Sequence, residues 1–131
     1  MQKVVLEYLF HTSPSILFEQ ISTPYGLMGW FAQDVDVHGN IFIFRWGDYR
    51  MDAKVMIHPH DNFIRFDWLD EEEGTYTELK LEYNVLSKDT SLKVVDFADD
   101  TEEDRDDLIK LWDENIKRLK LRLGLPPKVV R

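Results

Sequence analysis

Apolar and polar side chains alternate along this chain with two different periods, and each change of period marks an element. Residues 3–11, KVVLEYLFH, alternate at period two. Val4, Leu6, Tyr8 and Phe10 share one face, while Lys3, Glu7 and His11 mix with Val5 and Leu9 on the other, which predicts a strand. TSPSILFEQIS (12–22) then shows a helix start, with Ser13 as the N-cap and Pro14 at the first helical position, where its missing N–H costs nothing. Ile16, Leu17, Phe18 and Ile21 supply its apolar side. The same cap logic repeats at Thr23-Pro24, so a second short helix is expected, kept short by Gly26 and Gly29 and followed by the bulky pair Trp30-Phe31.

From Asp34 the period returns to two and stays there. DVDVH and IFIFRW are separated by Gly39-Asn40, a two-residue hairpin signal, and Trp46-Gly47-Asp48 turns the chain again. In YRMDAKVMIH (49–58), Tyr49, Met51, Ala53, Val55 and Ile57 face one way and Arg50, Asp52, Lys54 and His58 the other. After the turn PHDN, FIRFDWL (63–69) opposes Ile64, Phe66 and Trp68 to Arg65 and Asp67. TYTELKLEYNV places Thr77, Leu79, Leu81, Tyr83 and Val85 inward and Glu78, Lys80 and Glu82 outward, and SLKVVDF (91–97) makes a seventh strand. The last period is helical, from about Thr101 to Leu123. Leu108, Trp112, Ile116, Leu119 and Leu123 form one stripe along roughly 34 Å, enough to cross a sheet at about 1.5 Å per residue. Gly124 and Pro126-Pro127 stop it. A half-buried antiparallel sheet and one long amphipathic helix must cover each other. The expected fold is α+β: a curved antiparallel sheet of about seven strands, two short helices after strand one, and a long C-terminal helix packed across it, in a single domain over residues 1–131.

Charge changes this picture in one respect. The net charge of −9 argues against nucleic acid, whose phosphates require clustered lysine and arginine. It is unevenly spread: residues 1–107 hold 9 basic and 23 acidic side chains, residues 108–131 hold 7 and 2. Seven acids between Asp99 and Asp107 suit the positive end of the helix dipole, and Lys117, Arg118, Lys120 and Arg122 its negative end. With no cysteine there is neither a disulfide nor a thiolate site, and no run approaches a membrane span. The N-terminus lacks a signal-peptide pattern, so a cytoplasmic location is expected.

Three segments taken in order carry a resemblance: SPSILFEQISTPYGLMGWF for the two-helix unit, HPHDNFIRFDW for a strand ending in Phe-x-Trp, and LIKLWDENIKRLKLRLG for the closing helix. With this element order the chain resembles the START-like (SRPBCC) superfamily and its helix-grip fold. Within it, the chain is most similar to the activator-of-heat-shock-protein-ATPase homology group, although DVHGNIFIF stands where that group has a glycine pair. The resemblance implies a cavity between sheet and long helix that holds apolar or amphipathic small molecules. Some members act instead through protein partners, such as a chaperone ATPase regulator, and a few are enzymes of cyclase or hydratase type. Fold alone does not choose among these.

The cavity expectation places Tyr8, Phe10, Trp30, Phe31, Tyr49, Met51, Phe66, Trp68, Leu81, Tyr83, Trp112 and Ile116 on inward faces, with Asn115 at the edge of the helix stripe. These large side chains could equally fill the space as a solid core. His58, His60 and Asp61 are metal-ligand types, but two histidines across a proline in a turn do not readily converge, so no metal or other cofactor is expected. No nucleophile and base pair stands out. Asp96 shares the phase of Leu92 and Val94 and reads either as an inward carboxylate or as a strand-end cap or hydrogen-bond partner, and no residue is assigned a catalytic role. The acidic runs Asp70–Glu73 and Asp99–Asp107 read as solvated loops and helix starts. IFIFRW is apolar on both faces, so its outer face needs cover, from the chain's own loops, a protein partner or a homodimer contact through Ile41–Trp46.

Overall fold

Ser13 and Thr23 cap their helices as the sequence predicts. The Ser13 hydroxyl accepts the Ile16 amide at 3.4 Å, and that of Thr23 accepts the Gly26 amide at 2.9 Å. In the computed structural model, which describes residues 1–71 and 74–125, they start α1 (Pro14–Ser22) and α2 (Pro24–Leu27). These helices follow β1 (Gln2–Phe10) and precede β2 (Asp34–His38), β3 (Ile41–Trp46), β4 (Tyr49–His58), β5 (Phe63–Trp68), β6 (Tyr76–Asn84) and β7 (Asp89–Ala98). A 3-10 turn, Pro59–Asp61, joins β4 to β5, and α3 (Glu102–Arg122) closes the fold. The expected stop at Pro126-Pro127 lies outside the described residues, as do Glu72 and Glu73 of the first acidic run.

The seven strands form one antiparallel sheet in the order β1-β7-β6-β5-β4-β3-β2. The first strand returns to pair with the last, Val4 opposite Asp96 and Phe10 opposite Thr90. α3 packs against β1 and β7, α1 against β6 and α2 against β2, so all three helices share one face of the sheet. This is the α+β helix-grip arrangement that the pattern predicts. Period two decides which side chains meet the helices: Phe10, Phe42, Phe44, Ala53, Ile64, Phe66, Leu79, Leu81, Leu92 and Val94 are all buried in one core with Trp112, Ile116 and Leu119 of α3.

Alternation overreaches at strand ends. β6 ends at Asn84, so Val85, expected to continue it inward, lies in the turn to β7 and is 75% exposed, while Tyr83 (45% exposed) and Ile57 are exposed near their strand ends. Tyr49, 58% exposed, sits beside the β3–β4 turn with its ring 6.1 Å from Trp46. In β3 the phase is settled in favour of Phe42 and Phe44 inward. Ile43 faces outward yet is buried, between Asp36 on β2 and Asp52 on β4. Asp36 is paired with Arg45 at 2.7 Å and Asp52 with Arg50 at 2.8 Å, and the aliphatic stems of such arginines shield apolar surface. The chain's own side chains thus cover this position.

Gly26 is fixed by close approach. A Cβ there would lie 2.1 Å from the Glu19 carbonyl oxygen and 2.8 Å from the Gln20 Cα, so no side chain fits between α1 and α2. No helix among the described residues is long and apolar enough to cross a membrane.

Candidate functional site

The segment between α2 and β2 carries Trp30 and Phe31 and is tied down from three sides. The Trp30 indole N–H donates to the carbonyls of Gln20 (3.1 Å) and Gly26 (2.9 Å), and the Trp46 indole donates to the carbonyl of Phe31 at 2.7 Å. The third tie comes from the end of α3, where the Arg122 guanidinium donates to the carbonyls of Met28 and Tyr25. Phe31 is thereby held at the centre of an aromatic cluster. Its ring centroid lies 5.2 Å from that of Phe44, 5.7 Å from Phe66, 5.8 Å from Trp112, 5.9 Å from Trp46 and 6.5 Å from Trp68.

On one side of Phe31 the sheet and α3 diverge and leave a cavity of about 620 Å³ that opens to solvent. Its sheet wall is Trp46, Met51, Trp68, Thr77 and Asp96, one or two side chains from each of β3 to β7, and its helix wall is Leu108, Leu111, Trp112 and Asn115. Tyr49 and Glu71 stand at the mouth with Asp99, Asp104 and Asp107. On the other side of Phe31 is a smaller space of about 270 Å³, bordered by Trp30, Gln33, Trp46 and Arg118. Phe31 and Trp46 line both.

A chain of hydrogen bonds crosses the cavity wall. The Trp68 indole donates to Thr77 Oγ1 at 2.8 Å, and the Thr77 hydroxyl donates to Asp96 Oδ1 at 3.0 Å. Asp96 Oδ1 also accepts its neighbour's amide, Phe97 N, at 2.9 Å, and Oδ2 accepts the Trp112 indole at 2.8 Å. Burial pushes the Asp96 carboxyl above the usual carboxylate range, against the opposing effect of these three donors, with Glu71 adding to the rise. Both sequence alternatives for Asp96 meet here: its carboxylate faces inward and lines the cavity, and it accepts these hydrogen bonds.

Of the predicted cavity residues, Phe31, Tyr49, Met51, Trp68, Trp112 and Asn115 come together around this space, Tyr49 only at its rim. Trp30 borders the smaller one. Phe10, Phe66, Leu81 and Ile116 are buried in the core and line neither. Tyr8 also lines neither: its hydroxyl donates to Asp113 at 2.8 Å, and burial, followed by the Asp113 carboxylate, pushes its pKa up. Tyr83 is exposed near the end of β6. Sequence reasoning missed Trp46 as a cavity group, although it ends the strand IFIFRW in the Phe42–Phe44 phase, whereas Thr77, read as one of the few polar groups of the inward set, does line the cavity. No group of three or more histidine or carboxylate side chains among the described residues is placed to hold a metal ion, and His58 and His60 lie exposed.

Comparison with known proteins decides the family. The family model for the START-like superfamily domain matches residues 1–125. The chain belongs to the START-like superfamily. Among solved structures, the solution NMR structure of BfR322 from Bacteroides fragilis is 37% identical, covering 99% of this chain and 96% of that one, with a TM-score of 0.64. The Aha1 dimer from Colwellia psychrerythraea is 19% identical over 92% of this chain and 94% of that one, TM-score 0.75, and MLL2253 from Mesorhizobium loti 17% over 94% and 97%, TM-score 0.76. The latter two likenesses are of fold, and the Aha1 match agrees with the activator-group resemblance of the sequence. A search of curated proteins found no match.

Proposed function

We propose that this START-like chain is a single, cytoplasmic, non-enzymatic domain that binds an apolar or amphipathic small molecule between its sheet and α3. The observation supporting this is the 620 Å³ space walled by Phe31, Met51, Trp68 and Trp112. Its volume falls within the roughly 300–1,000 Å³ of small-molecule pockets, and its interior is mostly apolar and aromatic, with Thr77 and Asp96 on the sheet wall and Asn115 on the helix wall. A solid core was the competing expectation, and an open space of this size beneath the helix weighs against it. The test is native mass spectrometry of protein purified without added ligand, together with titration by apolar probes. Bound mass, or saturable one-to-one quenching of tryptophan fluorescence, supports the reading. Absence of both refutes it.

A second reading is a protein-partner module or homodimer using Ile41–Trp46. The dimeric state named for the Colwellia relative favours it. Ile41 is half-buried on the outer face, whereas Phe42 belongs to the core, so Ile41→Glu is the informative substitution and Phe42→Glu would disrupt folding. Sedimentation that is concentration-dependent for the natural chain and abolished by Ile41→Glu would favour this reading over the first.

A further inference from the structure

We propose that the molecule this cavity takes is a cationic amphiphile, with an ammonium-type charge on an apolar or aromatic body. The inference rests on the cavity reading above and adds the sign of the ligand's charge. Glu71, Asp96, Asp99, Asp104 and Asp107 line the space, and no lysine or arginine does among its described residues. The Met1 ammonium reaches the lining and is bound by Asp100 at 3.0 Å. Arg105 and Lys110 lie on the same stretch of α3 as the helix wall but are not among the lining, and Arg118 and Arg122 lie toward the other end, where Arg122 holds the α2 segment and Arg118 borders the smaller space. A carboxylate, sulfate or phosphate headgroup would enter among like charges, and the cation that Met1 brings to the lining is already bound by Asp100.

The interior suits a cation independently of the rim. Trp46, Trp68, Trp112 and Phe31 present aromatic rings to the cavity, and ring faces attract ammonium groups, more strongly when these are desolvated. Asp96 Oδ1 is occupied by two donors, but Oδ2 accepts only the Trp112 indole and retains acceptor capacity. Asn115 gives a second sign of unmet polar capacity. It is only 5% exposed and lines the cavity, with its carbonyl oxygen on Arg118, and no hydrogen bond from its amide nitrogen occurs among the described residues. Those donors fit an ether, ester or hydroxyl oxygen beside the ligand's charge.

The test uses the full chain and three probes sharing one tail: decyltrimethylammonium, decanoate and decanol, each below its micelle concentration, followed by tryptophan fluorescence and calorimetry. The expected result is one-to-one binding of the ammonium probe, about tenfold tighter than decanoate, with the preference shrinking in salt. The double variant Asp104→Asn/Asp107→Asn, at the mouth, should lose most of that preference. Asp61→Asn/Glu82→Gln removes the same charge at the opposite end of the sheet and should keep it, which separates the site from the general field of an acidic protein. Equal binding of all three probes, tighter binding of decanoate, or equal loss in both double variants overturns the inference and leaves the cavity reading standing. Failure of every probe to bind overturns both.

Discussion

Phe31→Ala removes one of the two side chains, with Trp46, that line both spaces, and its consequences follow from that position. The ring is 6% exposed and packs against Phe44, Phe66, Trp46, Trp68 and Trp112. Losing its burial costs about 2 kcal/mol in transfer from water. Removing on the order of 100 Å³ of side chain, at about 24 cal/mol per Å³ of unrelaxed cavity, adds about 2 kcal/mol more. The total, about 4 kcal/mol, lies inside the ~3–5 kcal/mol range of buried Phe→Ala changes. Collapse is unlike a normal core response here, because the 620 Å³ and 270 Å³ spaces already flank the ring and the three ties on its segment hold the backbone in place. The two spaces should therefore join. Urea denaturation should show the stability loss, and thermal melting a fall of roughly 12 °C at ~3 °C per kcal/mol for a chain of this size. In the same samples, a bulky apolar probe should gain affinity relative to a slim one. A loss under about 1.5 kcal/mol, or unchanged size preference, would refute the view of Phe31 as a packed wall of both spaces.

Three further outcomes are expected. Because burial raises the Asp96 carboxyl in the folded state, its contribution to stability is present below the unfolded-state pKa and is lost as pH rises through the folded-state value. The stability of the natural chain relative to Asp96→Asn should thus be greatest in acid and decline toward neutral pH in parallel urea titrations, and a flat or rising difference contradicts the assignment. Gly26→Ala drives a methyl group into the α1 backbone and should cost at least ~2 kcal/mol by the same assay, whereas a neutral result would mean that α2 can shift freely. Thr101 caps α3, accepting the Asp104 amide at 3.0 Å and donating to its carboxylate at 2.6 Å. Thr101→Ala should cost about 1 kcal/mol, and Thr101→Ser should restore most of it, measured by chemical denaturation.

The order of elements, both short-helix caps and the inward phase of the strand centres were legible in the sequence, since each is set by residues a few positions apart along the chain. Ser13-Pro14, Thr23-Pro24 and Gly39-Asn40 act on their own backbone, and period two needs no partner to be read. What the sequence could not give was where cover ends. Tyr83 and Val85 keep the phase of Leu79 and Leu81, yet Tyr83 is exposed near the end of β6 and Val85 falls in the turn beyond it, so the same pattern yields core at one end and solvent at the other. The cavity is likewise a tertiary property. Trp68, Thr77, Asp96 and Trp112 come from four separate elements, and they meet because β5, β6 and β7 pair side by side and α3 folds back over them. Whether aromatic side chains on converging faces fill a space or line it depends on the separation of sheet and helix. That separation is fixed by long-range packing around Phe31, which local periodicity does not encode.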